Sequence, residues 1–253
     1  MEFKQIAGIV AGIPHMTSAQ GEIIYSLVRN SNISNILELG FAHGVSTCYM
    51  AAALQAKGGG KIMTIDRMQA KEREPSIHDL LEKTKLDKYI DIIFANKTYN
   101  WELMKLIEEN TKDGVCQPQF DFCFLDGAHN FEIDCAAFFL ADKLLKPGAY
   151  LLLDDLFWTY DSSPSLKNTD FVRQMDDEER NIPHIKKLFD LVIMQHPDYT
   201  DFKVEGEWAW ARKKPGAKDA SAKINLEEIY GNASVGSILK NAFKKLKTRK
   251  AYH

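Results

Sequence analysis

Short, almost wholly apolar runs alternate with apolar positions at helical spacing through the middle of the chain, which is the pattern of β-α-β units. Residues 36–40 (ILELG) read as a first strand, followed by a helix over about 46–57 that Gly58-Gly59-Gly60 breaks. Residues 61–66 (KIMTID) form the second predicted strand. Ser76 is placed to cap a helix reaching about residue 85, and residues 89–95 (YIDIIFA) give a third strand. A helix over about 100–109 leads to a fourth strand at 120–126 (FDFCFLD). Asn130 then caps a helix to about residue 145, which Pro147-Gly148 ends before a fifth strand at 149–154 (AYLLLD). Strands this apolar are expected where helices cover both faces of a parallel sheet.

Residues 18–29 read as a helix ahead of this core, and 156–180 as a polar, aromatic lid or insertion without periodicity. Residues 200–204 and 207–212 flank Glu205-Gly206 and predict a C-terminal hairpin. The expected fold is α/β: a doubly wound, Rossmann-like, mainly parallel seven-stranded sheet with a C-terminal β-hairpin, in three α/β/α layers. The expected organisation is an N-terminal helical cap over 1–34, one domain over 35–213, and a basic amphipathic tail over 214–253.

Composition narrows the picture. With 253 residues, 45% of them hydrophobic, and a net charge of −3, the chain buries a sizeable core and is not disordered in bulk. The four cysteines form no C-x-x-C pair, so neither zinc nor a redox motif is indicated, and reduced thiols in a cytoplasmic protein are expected. No apolar stretch approaches the roughly 20 residues of a membrane helix. The glycine-rich run over 6–13 lacks the flanks of a signal peptide. Residues 235–253 carry +6 with no acid, leaving −9 for the rest, which argues against a nucleic-acid-binding core.

The first predicted strand runs into Glu38-Leu39-Gly40-Phe41-Ala42-His43-Gly44-Val45-Ser46. Gly40 and Gly44 allow a tight turn and a close ligand approach, and Ser46 opens a helix whose free N–H groups favour an anionic group. Asp66, 22 positions after Gly44, ends the second strand where an acid accepts hydrogen bonds from ribose hydroxyls. The spacing is G-x-x-x-G and not the G-x-G-x-x-G of dinucleotide sites, so nicotinamide cofactors are disfavoured. A plain glycine turn is the alternative; with Glu38 and Asp66 the reading favours a nucleoside.

At these residues the chain resembles a known family. ILELGFAHGVS followed by MTID is similar to motifs I and II of class I S-adenosylmethionine (SAM)-dependent methyltransferases. E-x-G-x-x-x-G-x-S resembles the catechol and caffeoyl-CoA O-methyltransferases, and HMTSAQGEIIYSL resembles their entry segment. FLDGAHNFEIDCAAFFLADKLLKPGAYLLLDD is similar to related sugar and small-molecule O-methyltransferases with a D-G-x-H motif. The resemblance spans about residues 14–156. It implies SAM as cofactor, with Glu38, Gly40, Gly44 and Ser46 around its methionyl part and Asp66 on the ribose. It also implies Asn96 near the adenine, Thr17 over the carboxylate end, and Asp126 beside the nucleoside.

Asp126, Asp154 and Asp155 close the fourth and fifth strands at one edge of the sheet. Clustered carboxylates repel one another unless a cation lies between them, and an all-oxygen set favours Mg²⁺, with Mn²⁺ or Ca²⁺ as alternatives. Capping of the following loop is the other reading. Asp155 stands where the catechol-type enzymes have Asn. His129 stands where they have a lysine base, and a neutral imidazole accepts a proton at cytoplasmic pH; a ring that only hydrogen-bonds its loop is the alternative.

In the tail, Val235, Ile238, Leu239, Ala242, Phe243 and Leu246 form one helical stripe among lysines. Residues 235–250 are expected to pack on the domain or a second subunit, with an anionic membrane surface as the third option. The reading is a metal-assisted, SAM-dependent O-methyltransferase acting on a small diol-bearing acceptor, a sugar or a phenol, as a homo-oligomer. Its rivals are a metal-dependent hydroxylase of the cephalosporin-hydroxylase type on the same fold and a non-catalytic nucleoside-binding protein.

Overall fold

A computed structural model describes residues 1–216; the amphipathic stretch 235–250 and the contacts expected of it lie outside the described residues. The chain begins with two helices, α1 (Phe3–Ile9) and α2 (Ser18–Asn30). The first parallel units follow as β1 (Asn35–Leu39), α3 (Val45–Lys57), β2 (Lys61–Arg67), α4 (Ile77–Thr84), β3 (Ile90–Ala95) and α5 (Tyr99–Glu109). A two-residue ribbon, β4 (Thr111–Lys112) with β5 (Val115–Cys116), precedes β6 (Phe120–Leu125), α6 (Phe131–Leu144) and β7 (Leu145–Leu153). Short helices α7 (Asp170–Arg173), α8 (Asp177–Asn181) and α9 (His184–Leu188) lead to the hairpin β8 (Tyr199–Glu205) and β9 (Trp208–Lys213).

The main sheet has seven strands in the order β3-β2-β1-β6-β7-β9-β8, parallel except where β9 pairs antiparallel with β7 and β8. Alternation along each strand sends successive side chains to opposite faces. Ile36, Phe122, Phe124 and Leu152 join α1 to α4 in one core, while Leu37, Leu39, Cys123, Leu125, Leu151 and Leu153 join α5, α6 and α9 in the other. Near-continuous apolar strands are the consequence of filling both cores, and the expected three-layer fold is the one observed.

Two elements differ from the sequence reading. The glycine-rich start forms α1, whose Phe3 ring stacks on Tyr49 of α3 with centroids 5.7 Å apart. Burial of Ile6 and Val10 supplies the stability that the composition of this run does not show. β7 starts at Leu145, directly from α6, because Pro147-Gly148 lies in a register shift between Phe120 and Phe122 of the partner strand; at such an irregularity a proline need not end pairing. Among the described residues, no helix is long and apolar enough to cross a membrane.

Candidate active site

Strand order reverses between β1 and β6, so a crevice opens outside their carboxyl ends. Backbone bonds carry the ladder one residue past the strands: Gly40 donates to Ile65 at 2.8 Å, Asp126 to Leu39 at 2.9 Å and Asp154 to Leu125 at 3.1 Å. The residues that close β1, β6 and β7 thereby stand level on one edge. Gly40 has φ +89, and a Cβ there would lie 1.8 Å from the Asp126 carbonyl oxygen. The loop after β1 therefore crosses the end of β6 at a distance only glycine permits.

The loop is braced from beneath. Glu38, fully buried, accepts hydrogen bonds from Ser46 and Thr47, both at 2.5 Å, and from Thr64 at 2.6 Å. Burial raises its carboxyl to about 7 against the relief from these hydroxyls. Glu38 and Ser46 thus bind each other across β1 and α3. Asp66 accepts from the Phe41 and Ala42 amides at 3.0 and 2.8 Å, holding the loop from the β2 side. Gly44 is the N-cap of α3, whose N-terminus faces the crevice edge.

Asp126, His129 and Asp155 place one ligand atom each within 4.8 Å of one another. His129 Nε2 lies 3.4 Å from Asp126 Oδ1 and 3.3 Å from Asp155 Oδ2. It is buried and, among the described residues, has no hydrogen-bond partner. His129 and Asp155 adopt φ of +52 and +53, a left-handed conformation that costs energy in residues with a Cβ and recurs at functional positions. Burial alone would lower the imidazole pKa; the carboxylates of Asp126, Asp155 and Asp134 override it and take it up to about 9. This differs from the expectation of a ring near its ordinary pKa: the two neighbouring carboxylates favour the protonated imidazole. Asp126 and Asp154 are both raised, first by burial and then, for Asp154, by the neighbouring carboxylates.

Of the three carboxylates expected around a cation, Asp126 and Asp155 share the cluster with His129. Asp154 is buried, accepts the Asp155 amide at 2.8 Å, and stands outside the three-residue cluster. His129 lies in the cluster with Asp126 and Asp155, and one imidazole nitrogen with two carboxylates is a donor set that fits a divalent cation. The Trp158 ring lies 5.1 Å from His129 and continues through Tyr160 to His184, an aromatic wall built by the segment expected as a lid. The Thr17 hydroxyl is engaged with Gln20 in the capping box of α2. Asn96 is exposed beyond β3. Tyr99 and Asp134, bonded to each other beneath the His129 loop, escape sequence reasoning because 35 residues separate them and neither stands in a motif.

Residues 37–156 match the family described as a methyltransferase domain. That segment runs from β1 to the residue after Asp155, so it spans the glycine loop and the Asp126–His129–Asp155 cluster. No curated protein sequence matches the chain. Among solved structures, an O-methyltransferase from Bacillus cereus in complex with SAH is similar at 20% identity and a TM-score of 0.56, covering 84% of this chain and 90% of that one. An SAH-bound methyltransferase from Podospora anserina is similar at 15% identity and a TM-score of 0.58, with 83% and 86% covered. The O-methyltransferase TomG from Streptomyces achromogenes, in complex with SAM, is similar at 17% identity and a TM-score of 0.53, with 84% and 89% covered. The likeness is one of fold: a Rossmann-like sheet with a C-terminal antiparallel hairpin.

Proposed function

We propose that the chain is a SAM-dependent O-methyltransferase that uses a divalent cation and acts on a hydroxyl of a small diol-bearing acceptor, a sugar or a phenol. The observation that carries the reading is the Asp126–His129–Asp155 cluster standing beside the glycine loop at the strand-order reversal. The methyltransferase-domain match over 37–156 and the SAM- and SAH-bound structures of the same fold support the cofactor.

Each residue has a part. Gly40 leaves room for the methionyl part of the cofactor, with Glu38 and Ser46 fixing the loop around it. Asp66 holds that loop and presents its carboxylate at the ribose position. Asp126, His129 and Asp155 hold the cation; two carboxylates and one imidazole suit Mn²⁺ as well as Mg²⁺. When bound, a divalent cation lowers the pKa of a coordinated hydroxyl and orients it. His129 serves as ligand or proton acceptor only as the neutral ring, which requires the surrounding carboxylate charge to be offset. Trp158 offers the acceptor an apolar wall. Methyl transfer is then a matter of placing the acceptor oxygen in line with the methyl carbon.

The test is transfer of a labelled methyl group from SAM to a panel of sugars and phenols, with and without EDTA. Turnover that EDTA abolishes and Mg²⁺ or Mn²⁺ restores is expected. Full turnover in excess chelator rejects the cation and returns the carboxylates to loop capping. Oxygen consumption with Fe²⁺ and no methyl transfer would establish the hydroxylase rival.

A further inference from the structure

The loop that carries His129 runs from Asp126 at the end of β6 to Asn130, the N-cap of α6. Its left-handed residue would not persist without support from outside the loop. That support is a buried pair. The Tyr99 hydroxyl, at the start of α5, accepts the Ala128 N–H at 3.1 Å and donates to the Asp134 carboxylate. Asp134, fully buried in the first turn of α6, accepts the Asn130 N–H at 2.9 Å through its other oxygen. Gly127 lies against the Tyr99 ring so closely that a Cβ would come 2.4 Å from Cε1. One hydroxyl and one carboxylate therefore hold the amides on both sides of His129.

We infer that Tyr99 and Asp134 are positioning residues: by pinning Ala128 and Asn130 they set the His129 ring between Asp126 and Asp155. The pinning stands on geometry alone, while its purpose rests on the cation site proposed above. Burial and then the Asp134 carboxylate hold the Tyr99 phenol well above its ordinary range, so it remains a donor.

Tyr99→Phe removes the hydroxyl and keeps the ring; Asp134→Asn is the second variant, should the first fold poorly. In the cation-free full chain, NMR-detected amide exchange should accelerate at Ala128 and Asn130 by about tenfold or more, the effect of losing a buried hydrogen bond. Amides of β1 and β6 should keep wild-type protection. Co²⁺, whose visible absorption reports its ligands, should bind the wild type and bind Tyr99→Phe about 10- to 100-fold more weakly with an altered spectrum, as when a supporting partner of a ligand is lost. Unchanged exchange at Ala128 and Asn130 overturns the inference. Faster exchange with unaltered Co²⁺ affinity and spectrum also overturns it, leaving Tyr99 as a packing residue. A wild type that binds no Co²⁺ while the variants show faster exchange overturns the cation reading and upholds the pinning.

Discussion

Desolvation keeps the Glu38 carboxyl protonated up to about pH 7, although three hydroxyls point at it. A carboxyl whose folded pKa is raised binds more protons in the folded state, so its contribution to stability is fully present below the unfolded value near 4.5 and is lost as pH rises through about 7. Glu38→Gln keeps the size and removes the charge. Urea unfolding from pH 5 to pH 8 should show the wild type losing stability more steeply than the variant. Parallel curves would place the carboxylate in a wetter site. Gly40 gives the second prediction at this scale. Gly40→Ala meets the Asp126 carbonyl and requires a left-handed backbone, so it should cost roughly 2–4 kcal/mol in the same unfolding assay. A cost under about 1 kcal/mol would mean the loop moves aside easily.

Thr17 shows what an element does to a residue. Its hydroxyl and backbone are both used at the N-terminus of α2, in a reciprocal capping box with Gln20. Thr17→Ala should cost about 1 kcal/mol of stability and leave SAH affinity unchanged; a fall in SAH affinity at unchanged stability would assign Thr17 to the cofactor site. Element boundaries explain how far the sequence could be read. Strands such as ILELG and FDFCFLD announce themselves because both their faces are buried. Gly40, Asp66, Asp126 and Asp155 were legible because parallel topology brings strand ends to one edge. His129 was read as a base beside these carboxylates, but its seat between Asp126 and Asp155 was not legible, since it depends on a left-handed φ. The bond between Tyr99 and Asp134 exists only once α5 and α6 pack side by side, and the start of β7 is hidden by an irregularity that tolerates Pro147. α1 packs against α2, α3 and α4, which no local pattern can show.

At the scale of the molecule, the last strand among the described residues ends at Lys213, and every residue assigned to the crevice, Trp158 included, precedes it. A chain ending at Gly216 should therefore keep wild-type SAH affinity; a large loss would assign residues 217–253 a part in the cofactor site. The two cores divide the work. The α1–α4 side braces the glycine loop through Glu38 and its hydroxyl partners, and the α5–α6 side supports the His129 loop. The proposed cofactor and cation sites would thus meet at the strand-order reversal, each held by a different face of one sheet. Calorimetric titration with SAH tests this account most directly. One SAH per chain should bind, with no heat from NAD. Binding of NAD and none of SAH would contradict the reading of the glycine loop and all that is built on it.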